Sequence, residues 1–373
     1  MAKALNLIPS SIFPPSLSPT IPKRKFCTIR ATTESSETPQ TSASVQTKPE
    51  PSSPPLTFAP PPNFKPPEPK RFGVRPDKVW DVLGAALALF FRLGTGVFVS
   101  GYSFSFVPKN DIPSDQYALE FNDSKVKETS KVGPRPAKPI EIYEFEGIRL
   151  LTFCFIQDKH FLSFIATWPI KGSSNCQDFD SICASMALKV REIVAVLDLD
   201  VLFYPCPQGG PNFRRKVAEM GGKQQFPYMV DPNTGVSMYE SDDIIKYLVG
   251  KYGDGTVPLA LSLGLLTTLT AGFAMIGRAG KGSRYSPSKL PPKPLLVWAY
   301  EGSPFCKLVR EVLVELELPH IYRSCARGSP KRQILFEKTG RFQAPYLEDP
   351  NTGVEMFESA EIVEYLKATY ALQ

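Results

Sequence analysis

Residues 226–241 read FPYMVDPNTGVSMYES and residues 344–359 read APYLEDPNTGVEMFES, identical at eleven of sixteen positions and offset by 118. A chain that repeats itself over that distance builds one structural unit twice, so the unit constrains the fold of everything around it. Each copy has a readable shape. Residues 346–348 are of strand type, and Asp349-Pro350-Asn351-Thr352-Gly353 supplies turn chemistry, with Pro pre-setting φ, Asn tolerating the left-handed region and Gly taking positive φ freely. Residues 354–357 complete a hairpin. Glu358-Ser359 then opens a helix with Ile362, Val363, Tyr365 and Leu366 at helical spacing, matched in the first copy by Glu240-Ser241 and by Ile244, Ile245, Tyr247 and Leu248. An acidic residue and a Ser suit the positive end of a helix and its orphan N–H groups.

Upstream of the second copy, residues 295–300 form an apolar run of strand length, Glu301-Gly302-Ser303-Pro304-Phe305-Cys306 follows, and Leu308, Val309, Val312, Leu313, Leu316 and Leu318 mark an amphipathic helix. Residues 320–324 read as another strand. This order, β-α-β, helix, β-β-α, resembles the N-terminal, thioredoxin-like domain of glutathione S-transferases and the glutaredoxins. SPFC stands where glutaredoxins carry C-P-[YF]-C, Pro345 where that fold has its cis-proline, and Glu358-Ser359 where glutathione transferases carry a Glu/Gln-Ser pair. The fold class that the resemblance implies is α/β, two tandem thioredoxin-like domains, at residues 138–252 and 293–371, each preceded by an apolar helix.

The first 31 residues contain no Asp or Glu, are rich in Ser, Thr and Pro, and carry Lys23, Arg24 and Lys25. That composition suits a plastid transit peptide over residues 1–30 rather than a secretory signal, which needs a compact apolar core; an ordinary disordered tail is the alternative. Residues 31–75 stay Pro/Ser/Thr-rich and are expected to be disordered. Residues 79–102 and 257–277 are mostly apolar, and the second contains no charge. Each is expected to be a helix. Either both pack on the domains, in place of the helical half of a glutathione transferase, or they attach the protein to a thylakoid or envelope membrane. The second just meets the ~20-residue criterion for a span. The first carries Arg92, which costs about 2.5–3.5 kcal/mol in a bilayer.

Repeat one departs from repeat two in length. Five residues separate Gly302 from Leu308, whereas forty-one separate Gly147 from Lys189, the positions matched by aligning Val190-Arg191-Glu192 with Val309-Arg310-Glu311. Residues 148–188 are therefore read as an insertion outside the core, foreign sequence such as a retained intron, with a genuine lid as the alternative.

The seven cysteines, Cys27, Cys154, Cys176, Cys183, Cys206, Cys306 and Cys325, form no CxxC and no zinc-type spacing, so no metal is expected. In a reducing stroma they are expected to be free thiols. With two histidines, His160 and His320, a Ser-His-Asp or Cys-His mechanism is nearly excluded. A net charge of +6 without basic-aromatic interleaving argues against nucleic acid.

The resemblance implies a site. Ser303 takes the place of the nucleophile and Cys306 that of the resolving thiol; Ser303 is also a good helix N-cap, and some glutathione transferases use a Ser there to hold the glutathione sulfur. Ala344 and Pro345, with Phe226 and Pro227, would pair with an extended thiol peptide, and the N–H groups at Glu358-Ser359 and Glu240-Ser241 would take a carboxylate. Pro227 and Pro345 are expected to be cis. Glutathione is the implied ligand, and glutathione or a protein thiol the implied partner. Two functions stay open: glutathione-linked thiol redox chemistry in the chloroplast, impaired in this chain, or a non-catalytic scaffold that binds glutathione or a partner. Restoring CPFC by Ser303→Cys is expected to create activity on the first reading.

Overall fold

The computed structural model describes residues 58–70, 73–146, 176–278 and 280–372. Residues 1–30, with the expected transit peptide, and residues 148–175 of the expected insertion lie outside them.

Two copies of one α/β unit share a single eight-stranded sheet. Repeat one runs β4 (Ile140–Glu144), α2 (Cys176–Val196), β5 (Asp200–Pro205), α3 (Phe213–Gly221), β6 (Tyr228–Asp231), β7 (Val236–Met238) and α4 (Ser241–Tyr252). After α5 (Leu259–Ser262) and α6 (Leu265–Ile276), repeat two runs β8 (Leu295–Ala299), α7 (Pro304–Glu315), β9 (His320–Ser324), α8 (Lys331–Thr339), β10 (Tyr346–Asp349), β11 (Val354–Phe357) and α9 (Ser359–Tyr370). The strand order is β11-β10-β8-β9-β5-β4-β6-β7, with β4∥β5 and β8∥β9 parallel and the hairpin pairs antiparallel. The halves join where β5 and β9 pair antiparallel, from Asp200 opposite Arg323 to Phe203 opposite His320. Each repeat thereby covers the edge strand that the other would leave unpaired.

Strand periodicity divides the core. Ile140 and Ile142 of β4 and Leu295 and Val297 of β8 enter one buried cluster, while Tyr143 and Trp298, one residue out of step, enter others on the opposite face. The first cluster takes residues from both repeats, among them Val190, Val309, Leu248 and Leu366. The repeated Asp-Pro-Asn motif does more than turn the chain. Asp349 is 2% exposed, and its Oδ2 accepts from the hydroxyls of Tyr365 and Tyr370, each at 2.6 Å; Asp231 does the same for Tyr247 (2.7 Å) and Tyr252 (2.6 Å). The motif therefore ties each hairpin to the helix after it.

Buried charges tie one repeat to the other. Arg310 of α7 bonds Glu146 (2.5 and 3.0 Å) from repeat one and Glu301 (2.8 and 3.0 Å) from its own; Arg191 of α2 pairs with Glu144 and lies 3.6 Å from both Glu146 and Glu301. Burial alone would raise the Glu146 carboxyl, but Arg310 and Arg191 hold it down at about 2. Glu317, from the loop after α7, accepts the N–H groups of Asn212 and Phe213 at 3.1 Å and so satisfies the start of α3 in the other repeat.

α1 (Val79–Phe91) and α6 lie antiparallel above α7 and α2, crossing closely where Gly84 meets the backbone of Gly277. Both are shorter than the apolar runs 79–102 and 257–277 suggested. Leu93, Gly94 and Gly96 take positive φ after α1, and Gly264 separates α5 from α6. At 13 residues, about 20 Å, α1 falls short of a ~30 Å hydrocarbon layer. Among the described residues no helix is long and apolar enough to cross a membrane. Arg92 ends α1 pointing into the protein, 5% exposed, and binds Glu192 through two hydrogen bonds of 2.6 and 2.7 Å. Its counterpart Arg278 after α6 bonds Glu311 at 2.6 Å and also Asp81. A small sheet that the sequence did not announce, β1 (Ser103–Pro108), β2 (Leu119–Phe121) and β3 (Ser124–Thr129), follows α1.

The insertion boundary also moves. Residues 176–188 belong to α2, and Ala184, Ala187 and Leu188 are 0–2% exposed, so the last turn of the expected insertion, from Ala184 to Leu188, joins the core. The Pro-rich stretch expected to be disordered to residue 75 instead runs, at residues 58–70 and 73–75, along α9, with the Phe58 ring tilted against Tyr370 and the Phe64 ring against Tyr365 at centroid distances of 5.4 and 5.1 Å.

His320 sits at the junction of the halves. Its Nδ1 lies 3.0 Å from the Leu318 carbonyl, Nε2 has no partner, and the ring is 1% exposed. The ring is therefore neutral with Nδ1 protonated, and burial pushes its pKa down to about 4 from 6.5. Between those values the unfolded chain holds the extra proton, so this contribution is complete above pH 6.5 and is lost as pH falls toward 4, up to about 3 kcal/mol. Urea titrations at pH 7 and pH 4.5 should show a smaller acid loss for His320→Phe than for the parent; equal losses would assign the acid sensitivity elsewhere.

Candidate functional site

The site is built around the start of α7. Ser303 has extended backbone, φ −90° and ψ 121°, and its Oγ accepts the Cys306 N–H at 3.3 Å; Pro304 occupies the first helical position, where no N–H is needed. Ser303 is thus the N-cap of α7. It is only 3% exposed, and the loop after α1 packs against the residue before it: a Cβ on Gly302 would sit 2.1 Å from Val97 Cγ2. The loop is held there by Arg327, whose N–H donates to the Val97 carbonyl at 2.7 Å and whose carbonyl accepts the Val99 N–H at 2.9 Å.

The Cys306 thiol is 2% exposed, and burial pushes its pKa up to about 11 despite the Ser303 contact. Cys206 and Cys325 are free, fully buried, and likewise pushed up by burial. A thiol with pKa near 11 is thiolate in roughly one molecule in ten thousand at pH 7. Cys206 follows β5 as Cys325 follows β9, so neither stands at a helix N-terminus.

The backbone features expected of a peptide-binding wall are present in both repeats. Phe226-Pro227 and Ala344-Pro345 are cis, as expected from the sequence. Glu240 and Glu358 take positive φ, 65° and 72°, immediately before α4 and α9 begin at Ser241 and Ser359. A residue that the motifs did not flag joins these parts. Gln343 Nε2 donates to Glu358 Oε1 at 2.8 Å, and Gln225 Nε2 to Glu240 Oε1 at 2.6 Å. The signal was in the repeat: a Gln stands two residues before each cis-proline.

In repeat two the chain covers its own wall. The Lys70 N–H donates to Glu358 Oε1 at 2.6 Å, Arg341 reaches the Pro69 carbonyl at 3.4 Å, and Arg75 pairs with Glu364 at 2.7 Å. Gly73, Val74, Arg75, Phe305, Glu358 and Ser359 line a cavity of about 20 Å³, room for a water molecule and not for a tripeptide. In repeat one the helix differs. Counting back seven residues from Arg191, as Ser303 lies seven before Arg310, reaches Ala184; Ala187 matches Cys306. α2 continues to Cys176, more than two turns beyond, so Ala184 lies inside a helix instead of capping one. Neither Ala offers a nucleophile or a hydrogen bond. Among the described residues no cluster of His, Cys, Asp and Glu is arranged to hold a metal ion.

Residues 183–256 and 298–373 each match the family model described as glutathione S-transferase, N-terminal domain. No curated protein and no solved structure matches the chain significantly. The first match begins inside α2, in agreement with the buried alanines there. The sheet order within each half, the paired cis-prolines and the two matches make this a tandem pair of glutathione S-transferase N-terminal-type, thioredoxin-like domains.

Proposed function

We propose that the protein is a glutathione S-transferase-like member of the thioredoxin superfamily that works in the plastid as a non-catalytic scaffold for glutathione or a protein thiol. The observation that carries this reading is Ser303: the nucleophile position is a buried hydroxyl already committed to capping α7. The described thiols support it too, since burial keeps Cys206, Cys306 and Cys325 protonated. What is left for a ligand is the wall, Ala344-Pro345 with Glu358-Ser359 and Phe226-Pro227 with Glu240-Ser241. There backbone groups and a helix N-terminus recognise an extended peptide and its carboxylate without reacting. The acid-free N-terminus supports the plastid part, and a fusion of residues 1–75 to a fluorescent protein that fails to enter plastids would remove it.

Isothermal titration with glutathione tests the binding part. In repeat two a ligand has to displace the strap formed by residues 58–70 and 73–75, which lowers its apparent affinity to the fraction of time the strap is open. Phe58→Ala together with Phe64→Ala removes two ring contacts worth about 1 kcal/mol each, so the double variant is expected to bind up to about thirtyfold tighter than the parent. Unchanged affinity would mean that the strap does not control the site. No binding by either chain at millimolar glutathione would end the glutathione reading and leave the protein thiol.

A further inference from the structure

A second surface begins beside the repeat-two wall, whose cavity Lys78 and Val82 at the start of α1 also line. α1 and α6 turn their outer faces to solvent, and those faces are apolar. Trp80, Leu83 and Phe90 lie three and seven residues apart on α1, and Leu266, Phe273 and Ile276 do the same on α6; Trp80 is 83% and Phe90 73% exposed. No charge interrupts them. The one charged side chain of α1, Asp81, is paired with Arg278, and α6 has none. Contiguous exposed apolar area on this scale marks an interaction surface.

The two ends of the helix pair differ in a way that selects the partner. Because the helices are antiparallel, Arg92 reaches Thr270 and Asp81 reaches Arg278. The start of α1 and the end of α6 therefore lie together, and there the chain presents Lys281, exposed, and Lys78, half-buried and 3.5 Å from Asp77. The carboxylates at that end are already engaged, Asp77 by Arg75 at 3.0 Å and Asp81 by Arg278. At the opposite end Leu93 is 89% and Leu259 74% exposed, and no charged residue occurs from 255 to 277. A helix pair with an apolar face, an apolar tip and a basic base matches the gradient from acyl chains to anionic headgroups. Neither helix is long enough to cross.

We propose that the α1–α6 pair is a monotopic anchor that buries its apolar face in the interfacial zone of an anionic bilayer, with Lys78 and Lys281 at the headgroups. The anchor holds the scaffold to a membrane surface and leaves the sheet in water.

Vesicle flotation of the full chain tests this, with phosphatidylcholine vesicles with and without phosphatidylglycerol. The chain is expected to float with the anionic vesicles, less with the neutral ones, and less again in high salt. Leu83→Glu with Phe90→Glu should cut the bound fraction at least about tenfold. Trp80→Glu is the second variant, since a side chain 83% exposed can be replaced without disturbing a core. Lys78→Glu with Lys281→Glu should weaken binding to the anionic vesicles alone. A blue shift of tryptophan emission on binding should vanish in Trp80→Phe. The proposal fails if the folded parent floats with neither vesicle, or if Trp80→Glu and Leu83→Glu/Phe90→Glu float as well as the parent. It also fails if the parent ignores vesicles and forms a dimer that these variants dissociate, which would make a second copy the occupant.

Discussion

Replacing Arg310 with methionine is expected to destabilise the whole protein by about 3–5 kcal/mol, the cost of removing one partner from a buried ion pair. Arg310 is 2% exposed and binds two carboxylates, Glu146 and Glu301, neither of which has water to turn to. Without it, Glu144, Glu146 and Glu301 share Arg191 as their nearest guanidinium. A methionine fills most of the volume, so the loss is charge rather than cavity. The change should appear as a single shifted transition in urea, because the sheet and the largest core cluster run through both repeats. Adding Glu146→Gln and Glu301→Gln should recover a large part of the loss. Arg215→Met, on an exposed face of α3, should stay within about 0.5 kcal/mol. A loss below about 1 kcal/mol for Arg310→Met would show that the network is hydrated.

Much of this fold was readable because the repeat carries its own turn, hairpin and helix start, and those are local. The cis-prolines, the two β-β-α ends and the Ser303 cap all follow from residues close together in the chain. The failures have one cause in common: they depend on partners far away in sequence. Arg92 looks expensive inside an apolar run until Glu192 is placed against it. The Arg-Glu dipeptides at 191–192 and 310–311 were visible as matched residues, but each splits its partners between its own repeat and elements from outside it. The joining of β5 to β9 leaves no trace in either strand alone, since an edge strand and a paired one can have the same alternation. The boundary at 188 was drawn where identity with repeat two stopped. Ala184, Ala187 and Leu188 continue the buried helix face with different residues, and helical spacing rather than identity was the signal to follow.

The unmodified chain is expected to reduce a glutathione-linked disulfide no faster than the buffer control. Exchange needs a thiolate with access to a disulfide sulfur, and the described chain offers Ser303 at one helix start and Ala184 at the corresponding place in the other repeat. The structure also revises what Ser303→Cys can do. The sequence alone suggests that restoring CPFC restores activity, but a Sγ at position 303 would be buried, as the hydroxyl is now, next to the Gly302 backbone that Val97 packs against. Desolvation there opposes the helix dipole that makes such thiols acidic. Ser303→Cys alone is therefore expected to stay close to background, and Ser303→Cys with Val97→Gly to gain at least about tenfold over it. Alkylation at pH 7 followed by peptide mapping gives an independent reading: Cys206, Cys306 and Cys325 should stay unlabelled in the native chain and react once it is unfolded. If the unmodified chain reduces the disulfide robustly and Cys306→Ser abolishes that, Cys306 is a working nucleophile, the loop beside Ser303 opens in solution, and the scaffold reading is wrong.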